Sequence, residues 1–264
     1  MTKELSAEIF EYFDKFSEKN KILVTQFLNR FPFHKSYLNR DVLDFGSGTG
    51  CLTFELAGQC GSVTGLEVDP LLYKYSIFRL SKLSQEKANK VNFVHQYIEE
   101  LESSSYDVIF SKDVFEHVQN TNSLMKEIYR VLKPGGECMI GFGPLWSSPF
   151  GDHGIVKSSF GFTFPWFHLI LGKENLVRAY NSSTLHPNKF SKKKIKDLSS
   201  YLNLKSGNYF RDLIMESDFE VIWYDENVHE NFLVKRIKNF MIRNSSLSKY
   251  FIRNIYCILK KPIS

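Results

Sequence analysis

The chain has 264 residues, of which 43% are hydrophobic and 24% charged, and its formal net charge at pH 7 is +5. This size suits an α/β domain with an elaboration, and the mild excess of positive charge gives no strong indication of nucleic-acid binding. No apolar run reaches the ~18 residues of a transmembrane helix. Four scattered cysteines and a charged N-terminal run in place of a signal peptide lead us to expect a soluble, cytoplasmic protein with free thiols.

Residues 5–30 carry apolar side chains at helical spacing, which predicts one or two helices ahead of the first strand. The apolar positions are Ile9, Phe10, Phe13, Phe16, Ile22, Leu23, Phe27 and Leu28. These helices would either cover an edge of the sheet or form a lid over a ligand, and the sequence leaves both open.

A glycine-rich turn, Asp44-Phe45-Gly46-Ser47-Gly48-Thr49-Gly50, separates a predicted strand over 41–45 from a predicted helix over 50–58. Glycines let the backbone approach a ligand closely because they have no Cβ, and the helix directs free N–H groups at the same spot. The spacing differs from the Gly-x-Gly-x-x-Gly dinucleotide fingerprint, and the Gly-Lys-Ser/Thr of a Walker loop is absent. We therefore predict that this turn cradles a cofactor.

The next predicted strand covers Ser62–Asp69, and Pro70 opens the helix that follows. Glu67 lies at the carboxyl end of this strand, roughly twenty residues after the glycines, where an acid can accept hydrogen bonds from two ribose hydroxyls. Asp69 competes for this role, but its position immediately before Pro70 is typical of a helix N-cap. We therefore assign the ribose contact to Glu67 and the cap to Asp69.

Further strands are predicted over 91–95, 106–111 and 138–142, with helices over 71–88 and 122–132. Lys133-Pro134-Gly135-Gly136 stops the last of these helices, and the polar Asn92 and His95 place the third strand near an edge. Alternating strands and helices predict a parallel sheet whose ligands lie at the carboxyl ends of the strands. The glycine turn, Glu67 and the segments after His95 and Ser111 all fall on that edge.

Residues 144–205 leave this pattern, with many turn formers, an aromatic stretch over 160–171 and a basic run over 192–196. The aromatic stretch could form the core of this segment, the wall of an apolar or aromatic substrate pocket, or a membrane-surface patch. The basic run could be a solvated helix face or a contact to an anionic substrate or membrane. Helices over 173–180 and 207–217, a helical stripe over 232–241, and strands over 219–224 and 255–260 complete the prediction.

Four segments resemble, in order and spacing, the motifs of class I S-adenosylmethionine-dependent methyltransferases of the small-molecule type. They are Val42–Gly50 for motif I, Val63–Pro70 for the acidic loop, Tyr106–Val118 for strand four, and Leu124–Gly136 for the helix and turn that follow. The resemblance implies a Rossmann-like, doubly wound, seven-stranded, mostly parallel sheet with a reversed last strand. Residues 1–40 would be an N-terminal helical cover, 41–143 the cofactor-binding core, 144–205 an inserted substrate-binding or lid region, and 206–264 the completion of the sheet.

The resemblance also implies the cofactor, S-adenosyl-L-methionine, and its contacts. The residues that match the family's cofactor site are Asp44, Gly46, Ser47, Gly48, Gly50, Glu67, Val68, Tyr97, Ile98, Ser111 and Asp113. One position departs from the pattern, because Tyr97 stands where the family usually has an acid that accepts from the adenine amino group. We expect the Ile98 backbone N–H and apolar packing to hold adenine instead, with Gln96 or Glu99 as the polar partner.

The catalytic candidate is His153, which lies on the loop that leaves strand five, where an acceptor would bind. Transfer from a sulfonium needs a base only if the acceptor must lose a proton. We expect His168 to be packed and Glu116-His117 to stabilise a loop, and no ligand spacing supports a metal site. The leading prediction is methyl transfer to a small or medium-sized metabolite, without a nucleic-acid partner. The alternatives are an RNA methyltransferase and a non-catalytic binding subunit of the same fold.

Overall fold

In the residues that it describes, 7–32, 37–183, 194–228 and 245–263, the computed structural model forms one seven-stranded sheet flanked by helices. The strands are β1 (Tyr37–Phe45), β2 (Cys60–Leu66), β3 (Val91–Val94), β4 (Tyr106–Lys112), β5 (Leu132–Phe142), β6 (Glu220–Val228) and β7 (Ile252–Lys260). The helices are α1 (Ala7–Leu28), α2 (Cys51–Leu56), α3 (Pro70–Leu80), α4 (Gln85–Ala88), α5 (Thr121–Val131), α6 (Ile155–Phe160), α7 (Phe167–Leu171), α8 (Lys173–Ser182), α9 (Gly207–Met215) and α10 (Ser245–Ser248).

The strand order across the sheet is β3-β2-β1-β4-β5-β7-β6. Strands β1 to β5 pair in parallel, whereas β7 runs antiparallel to both β5 and β6. The predicted doubly wound, mostly parallel sheet with a reversed last strand is therefore confirmed. From β1 the sheet first grows to one side through β2 and β3, and then to the other side from β4. The boundary between β1 and β4 is therefore a topological switch point, where ligands of such sheets bind.

The central strands are buried on both faces, as expected for apolar strands of a parallel sheet. Leu43 of β1 packs on one face with Ile128 of α5. Its neighbour Val42 packs on the other face with Phe27 of α1 and Leu56 of α2. Helix layers on both faces thus hold the carboxyl ends of the strands in fixed positions.

Most predicted elements are confirmed, with shifted ends. Helix α1 is continuous, and its buried side includes Val24, whereas Ile22 and Leu23 of the predicted apolar stripe are 64% and 40% exposed. The predicted helix over 71–88 is divided into α3 and α4. Strand β3 lies at the edge of the sheet, as its polar residues predict.

Strand β5 begins six residues earlier than the predicted 138–142, at Leu132. Lys133–Gly136 forms an irregularity in the pairing of β5 with β4, where the register jumps from Leu132 to Glu137. The turn that ends α5 therefore leads straight into the strand. The helical stripe predicted over 232–241 lies outside the described residues.

Helices α6, α7 and α8 follow β5 and build a small core of their own, which includes Ile155, Leu176 and Leu198. The aromatic stretch over 160–171 is divided between this core and the surface. Phe167 and Leu171 pack against the core, whereas the phenylalanines before them are exposed. Within the described ranges, every helix is too short or too polar to cross a membrane.

Candidate functional site

The glycine turn is closed by backbone hydrogen bonds to the neighbouring strand. The amides of Gly46 and Ser47 both donate to the Leu66 carbonyl at 3.0 Å, and the Gly50 amide donates to the Ser47 carbonyl at 2.8 Å. Gly46, Gly48 and Gly50 have φ values of +76°, +56° and +78°, the left-handed region that favours glycine. A Cβ on Gly48 would meet no atom within 4 Å, so the backbone there borders open space.

Glu67 is buried and ties the glycine turn to the end of β2. Its Oε2 accepts from the Gly48 amide at 2.7 Å, and its Oε1 accepts from the Asp69 amide at 2.8 Å. Burial raises the pKa of this carboxyl, and the two backbone donors act in the opposite direction. The sequence indicates a ligand contact for Glu67, and it does not reveal that this side chain also holds the turn.

Asp69 caps helix α3, as its position before Pro70 predicts. Its Oδ1 accepts from the amides of Leu71 and Leu72 at 2.8 and 3.1 Å. Helix α3 in turn supports the glycine turn, because Ser76 Oγ donates to the Gly48 carbonyl at 3.0 Å and Arg79 Nη1 donates to the Thr49 carbonyl at 2.7 Å. These last two contacts were missed from the sequence, although their i, i+3 spacing puts them on one helix face.

Asp44 directs its carboxylate at helix α2. The residue is 1% exposed, and its Oδ2 accepts from Thr53 Oγ1 at 2.6 Å. Burial raises the pKa of Asp44 to about 7, and the hydrogen bond from Thr53 opposes that rise. Asp44 therefore lies behind the turn and positions α2.

A cavity of about 320 Å³ opens beside the turn, at the carboxyl ends of β1 and β2 and the segment after β3. Five of the predicted cofactor residues line it, namely Gly46, Glu67, Val68, Tyr97 and Ile98. The other lining residues are Phe45, Leu66, Glu99, Val114, Val118, Asn120, Ser123 and Leu124. Most of this second set belongs to the loop after β4 and the start of α5, a region that carries two of the sequence motifs but whose residues were not predicted as cofactor contacts beyond Asp113.

The remaining predicted cofactor residues are not among those that line the cavity. Ser111, at the end of β4, is fully buried, and among the described residues its Oγ has no hydrogen-bond partner. Asp113 has φ +57°, donates its amide to the Gly141 carbonyl and pairs with Lys112. Ser47 is buried within the turn.

The end of the cavity assigned to adenine contains Tyr97, Ile98 and Glu99. The Tyr97 side chain is 65% exposed, and its amide donates to Glu100 Oε1 at 2.9 Å. Ile98 is buried, and Glu99 lines the cavity. Asn120 also lines it and accepts from the Ser123 amide at the start of α5, which leaves its NH₂ group as a donor.

The predicted catalytic residue His153 lies in a second cluster, with Glu116 and His117. One ligating atom from each of these three side chains lies within 4.8 Å of the others. The His153 Nε2–H donates to the Pro144 carbonyl at 2.7 Å, and the His117 Nδ1–H donates to the Tyr201 carbonyl at 2.8 Å. Because a carbonyl can only accept, each neutral ring carries its lone pair on the other nitrogen.

Glu116 forms the buried floor of this cluster. Its Oε1 accepts from the Gly143 amide at 3.0 Å, which ties the loop after β4, where Glu116 lies, to the start of the loop after β5. Burial, with Asp113 nearby, raises its pKa well above the ordinary value. Such a cluster can take a proton or hold a divalent ion. The sequence spacing did not indicate it, because His153 lies 36 residues from His117.

His168 is buried, which confirms the prediction that it is packed. It is 1% exposed, and its Nε2–H donates to the Trp146 carbonyl at 2.8 Å. Burial lowers its pKa, so the ring is neutral at pH 7. The imidazole thus anchors α7 to the loop that carries His153.

Part of the chain is similar to known proteins. Residues 43–140 match the family model described as a methyltransferase domain. Human arsenite methyltransferase is 35% identical over 108 residues, which cover 36% of this chain and 28% of that protein. The ubiquinone biosynthesis O-methyltransferase of Rickettsia felis is 29% identical over 123 residues, which cover 46% of this chain and 49% of that protein. The chain thus spans half or less of the length of these curated relatives.

A solved structure extends the likeness to the fold as a whole. The phosphoethanolamine N-methyltransferase 2 of Haemonchus contortus, in complex with S-adenosyl-L-methionine, superposes with a TM-score of 0.56 at 18% identity. The alignment covers 91% of this chain and 52% of that one. At this identity the superposition supports the fold alone. The four ordered motifs and the domain match over residues 43–140 identify this part of the chain as a class I S-adenosylmethionine-dependent methyltransferase domain.

Proposed function

We propose that the protein transfers the methyl group of S-adenosylmethionine to a small or medium-sized metabolite. The observation that carries this proposal is the cavity beside the glycine turn, which five of the predicted cofactor residues line. A ligand there would contact the turn at one end and the segment after β3 at the other. The lining is mainly apolar with a few polar groups, which is typical of small-molecule sites.

In this proposal each part of the cofactor meets a different element. The turn Gly46–Gly50 holds the methionine end, with Asp44 fixing the helix behind it. Glu67 accepts from the ribose hydroxyls with the lone pairs that its two backbone donors leave unused. Ile98 and Val68 pack on adenine, and Glu99 is the acceptor within reach of the adenine amino group. Ser111 and Asp113 lie along the edge of the cofactor.

The acceptor binds on the side of the second cluster, between the loops that follow β4 and β5. His153 would take a proton from an acceptor that must lose one, at Nδ1, because the Nε2–H donates to the Pro144 carbonyl and Nδ1 is the basic nitrogen of that tautomer. We propose that this step needs no metal ion. Residues 144–205 would supply the acceptor-binding region, and the helix before β1 would supply the cover.

Calorimetry with S-adenosylhomocysteine and with NAD tests the cofactor assignment. We expect S-adenosylhomocysteine to bind and NAD not to bind at the same concentrations. Tighter binding of NAD would overturn the proposal. A panel of hydroxyl, amine and thiol acceptors with radiolabelled S-adenosylmethionine then tests transfer, and cofactor binding without transfer to any acceptor would indicate a binding subunit.

A further inference from the structure

The segment 144–205 differs from the rest of the chain in charge. It contains nine Lys or Arg residues and three Asp or Glu residues, a net charge of +6, whereas the whole chain carries +5. The rest of the chain is therefore close to neutral. In the described part of the segment, Lys157 of α6, Lys173 and Arg178 of α8, and Lys196 are all exposed.

The same segment exposes a cluster of large apolar side chains. Phe160, Phe162, Phe164 and Ile170, which we call the aromatic tip, are 47%, 49%, 61% and 77% exposed. The rings of Phe160 and Phe162 lie 6.1 Å apart, and both contact Phe167, which packs on the small core of α6 to α8. Phe160 and Phe162 thus form an exposed aromatic pair, Phe164 and Ile170 are exposed within the same eleven positions, and exposed apolar surface of this kind marks interaction sites.

The aromatic tip is held in place by Trp166, directly behind it. The Trp166 amide donates to the Pro149 carbonyl at 2.7 Å, and its indole N–H donates to the Tyr250 carbonyl at 3.0 Å. Its ring also contacts Phe251 at 5.5 Å. These bonds connect the tip to the loop after β5 and to the segment before β7, so the fold presents the apolar side chains to solvent from a fixed base.

The tip also lies close to the predicted acceptor site. Helix α6 begins two residues after His153 and ends at Phe160, the first residue of the tip. With a rise of about 1.5 Å per residue, the six residues of this helix span about 9 Å. The length of α6 therefore separates a molecule bound to the tip from His153, to which we assign the proton transfer.

We propose that the aromatic tip docks the protein on an anionic lipid surface, and that the methyl acceptor is a lipophilic compound taken from that surface. Apolar rings that enter the headgroup region, together with basic side chains that attract anionic lipids, are the two components of peripheral membrane binding. In the described residues of this segment, six Lys or Arg residues against three Asp or Glu residues leave a net charge of +3, which supplies the complementarity to an anionic bilayer. The substrate part of this inference rests on the proposed function, whereas the docking part does not.

Sedimentation with phosphatidylcholine vesicles, with and without 30% phosphatidylglycerol, tests the docking. We expect binding to the anionic vesicles, weaker binding to the neutral ones, and weakening as salt rises, because surface charges are screened. The double variant Phe162→Ser/Phe164→Ser should bind anionic vesicles about tenfold or more weakly, from the loss of two inserted rings. The matched control is Met215→Ser on α9, which is 52% exposed outside the tip and should bind like the wild type.

Three outcomes would overturn the proposal. The first is a wild-type protein that stays in the supernatant with anionic vesicles, and the second is an unchanged affinity in the double variant. The third is evidence that the aromatic tip binds another partner. That partner would be a second copy of the chain if the wild type is a dimer in analytical ultracentrifugation and the double variant is not. It would be RNA if the wild type forms an RNA complex with a steep salt dependence and the double variant does not. Calorimetry of S-adenosylhomocysteine on the same variants separates this proposal from the proposed function, because we expect that affinity to stay unchanged.

Discussion

The two sides of the site differ in how far along the chain their contacts reach. On the cofactor side, Glu67 bonds a residue 19 positions away and Asp44 a residue 9 positions away. On the acceptor side, His117 bonds a carbonyl 84 positions away, and Asn203 Nδ2 donates to the Phe115 carbonyl 88 positions away. The bonds that hold the glycine turn therefore come from β1, α2 and the end of β2, which are close in the sequence, whereas the second side exists only after the inserted segment has folded back onto the loop after β4.

These distances along the chain indicate which substitutions separate cofactor binding from methyl transfer. Changes in the glycine turn and at Glu67 should act on the cofactor, since both line or border the cavity. Changes around His153 should act on the acceptor and spare the cofactor. A variant that lowered cofactor affinity and methyl transfer equally would contradict this division of the site.

The largest effect is expected at His153. His153→Ala should lower the transfer rate by about 10²- to 10⁴-fold, the usual contribution of a general base, if the acceptor must lose a proton. The affinity for S-adenosylhomocysteine should change by less than about twofold, because the residue lies in the second cluster. Radiolabel transfer and calorimetry on the same preparation check both expectations.

The same assay distinguishes a base from a metal ion. Treatment with EDTA should leave the wild-type rate unchanged. A loss of activity that Zn²⁺ or Mg²⁺ restores would show that Glu116, His117 and His153 act as ligands, and would contradict the role of His153 as base.

The next effect concerns stability, at Asp44. Its pKa is raised to about 7 from an ordinary value of 3.8, so as pH rises from 4 to 7 the unfolded chain ionises while the native state stays protonated. Stability contributed by this residue is therefore full below pH 4 and is lost as pH rises toward 7, by at most about 4 kcal/mol. Asn can still accept from Thr53, so Asp44→Asn should match the wild type at pH 4 and be more stable at pH 8.

Asp41 gives a control of opposite sign on the same strand. Hydrogen bonds from Lys133 and Ser62 lower its pKa, so its contribution to stability is present at neutral pH and is lost as pH falls through the lowered pKa. Asp41→Asn should therefore be less stable than the wild type at pH 7 and approach it in acid. Urea unfolding of both variants between pH 4 and 8 checks the two signs. If the stabilities of the two variants relative to the wild type changed with pH in the same direction, the opposite pKa shifts assigned to Asp44 and Asp41 would be wrong.

Much of the cofactor side could be predicted because its signals are local. The spacing of Gly46, Gly48 and Gly50 requires a turn with positive φ, and an acid before Pro70 caps a helix in most contexts. The double use of Glu67 could not be predicted, since it depends on how β2 ends against the turn. The cluster of His153 with Glu116 was out of reach for the same reason, because no local rule brings the loop after β5 onto the loop after β4.

The sequence did not show which side chains of α1 and of the aromatic stretch are buried, because that depends on packing. The 3.6 period over 5–30 is compatible with either Leu23 or Val24 facing the sheet, and only the crossing of α1 over β1 decides between them. The aromatic stretch had three interpretations because composition does not show which rings pack in a core and which are exposed. The structure packs Phe167 against the core of α6 to α8 and exposes Phe160, Phe162 and Phe164.

A smaller effect is expected at Gly48, whose backbone borders open space with φ +56°. Gly48→Val should weaken S-adenosylhomocysteine by about a hundredfold, because the side chain fills ligand space and strains the turn. Gly172→Val is the matched control, since Gly172 has φ +80° and a Cβ there would meet no atom within 4 Å, away from the cavity. Gly172→Val should lower the melting temperature through backbone strain and leave the affinity for S-adenosylhomocysteine unchanged. Equal affinities in both variants would remove the turn from the site.

The last prediction compares Glu67 with Asp69, two acids at one strand end. Glu67→Gln should weaken S-adenosylhomocysteine by about ten- to a hundredfold, the range for losing a charged acceptor. The amide also places an NH₂ group against one of two backbone donors, Gly48 N–H or Asp69 N–H, so the turn itself should loosen and the melting temperature should fall.

Asp69→Asn should lose less than about threefold in affinity, because Asn still accepts from the amides that open α3. Calorimetry and thermal unfolding of both variants separate the two roles of Glu67. If the melting temperature of Glu67→Gln falls but its affinity, measured well below that temperature, equals the wild type, then Glu67 only supports the turn. If Asp69→Asn loses more affinity than Glu67→Gln, the ribose contact belongs to Asp69. A loss of both affinity and melting temperature confined to Glu67→Gln is the outcome that the two bonds of this carboxylate predict.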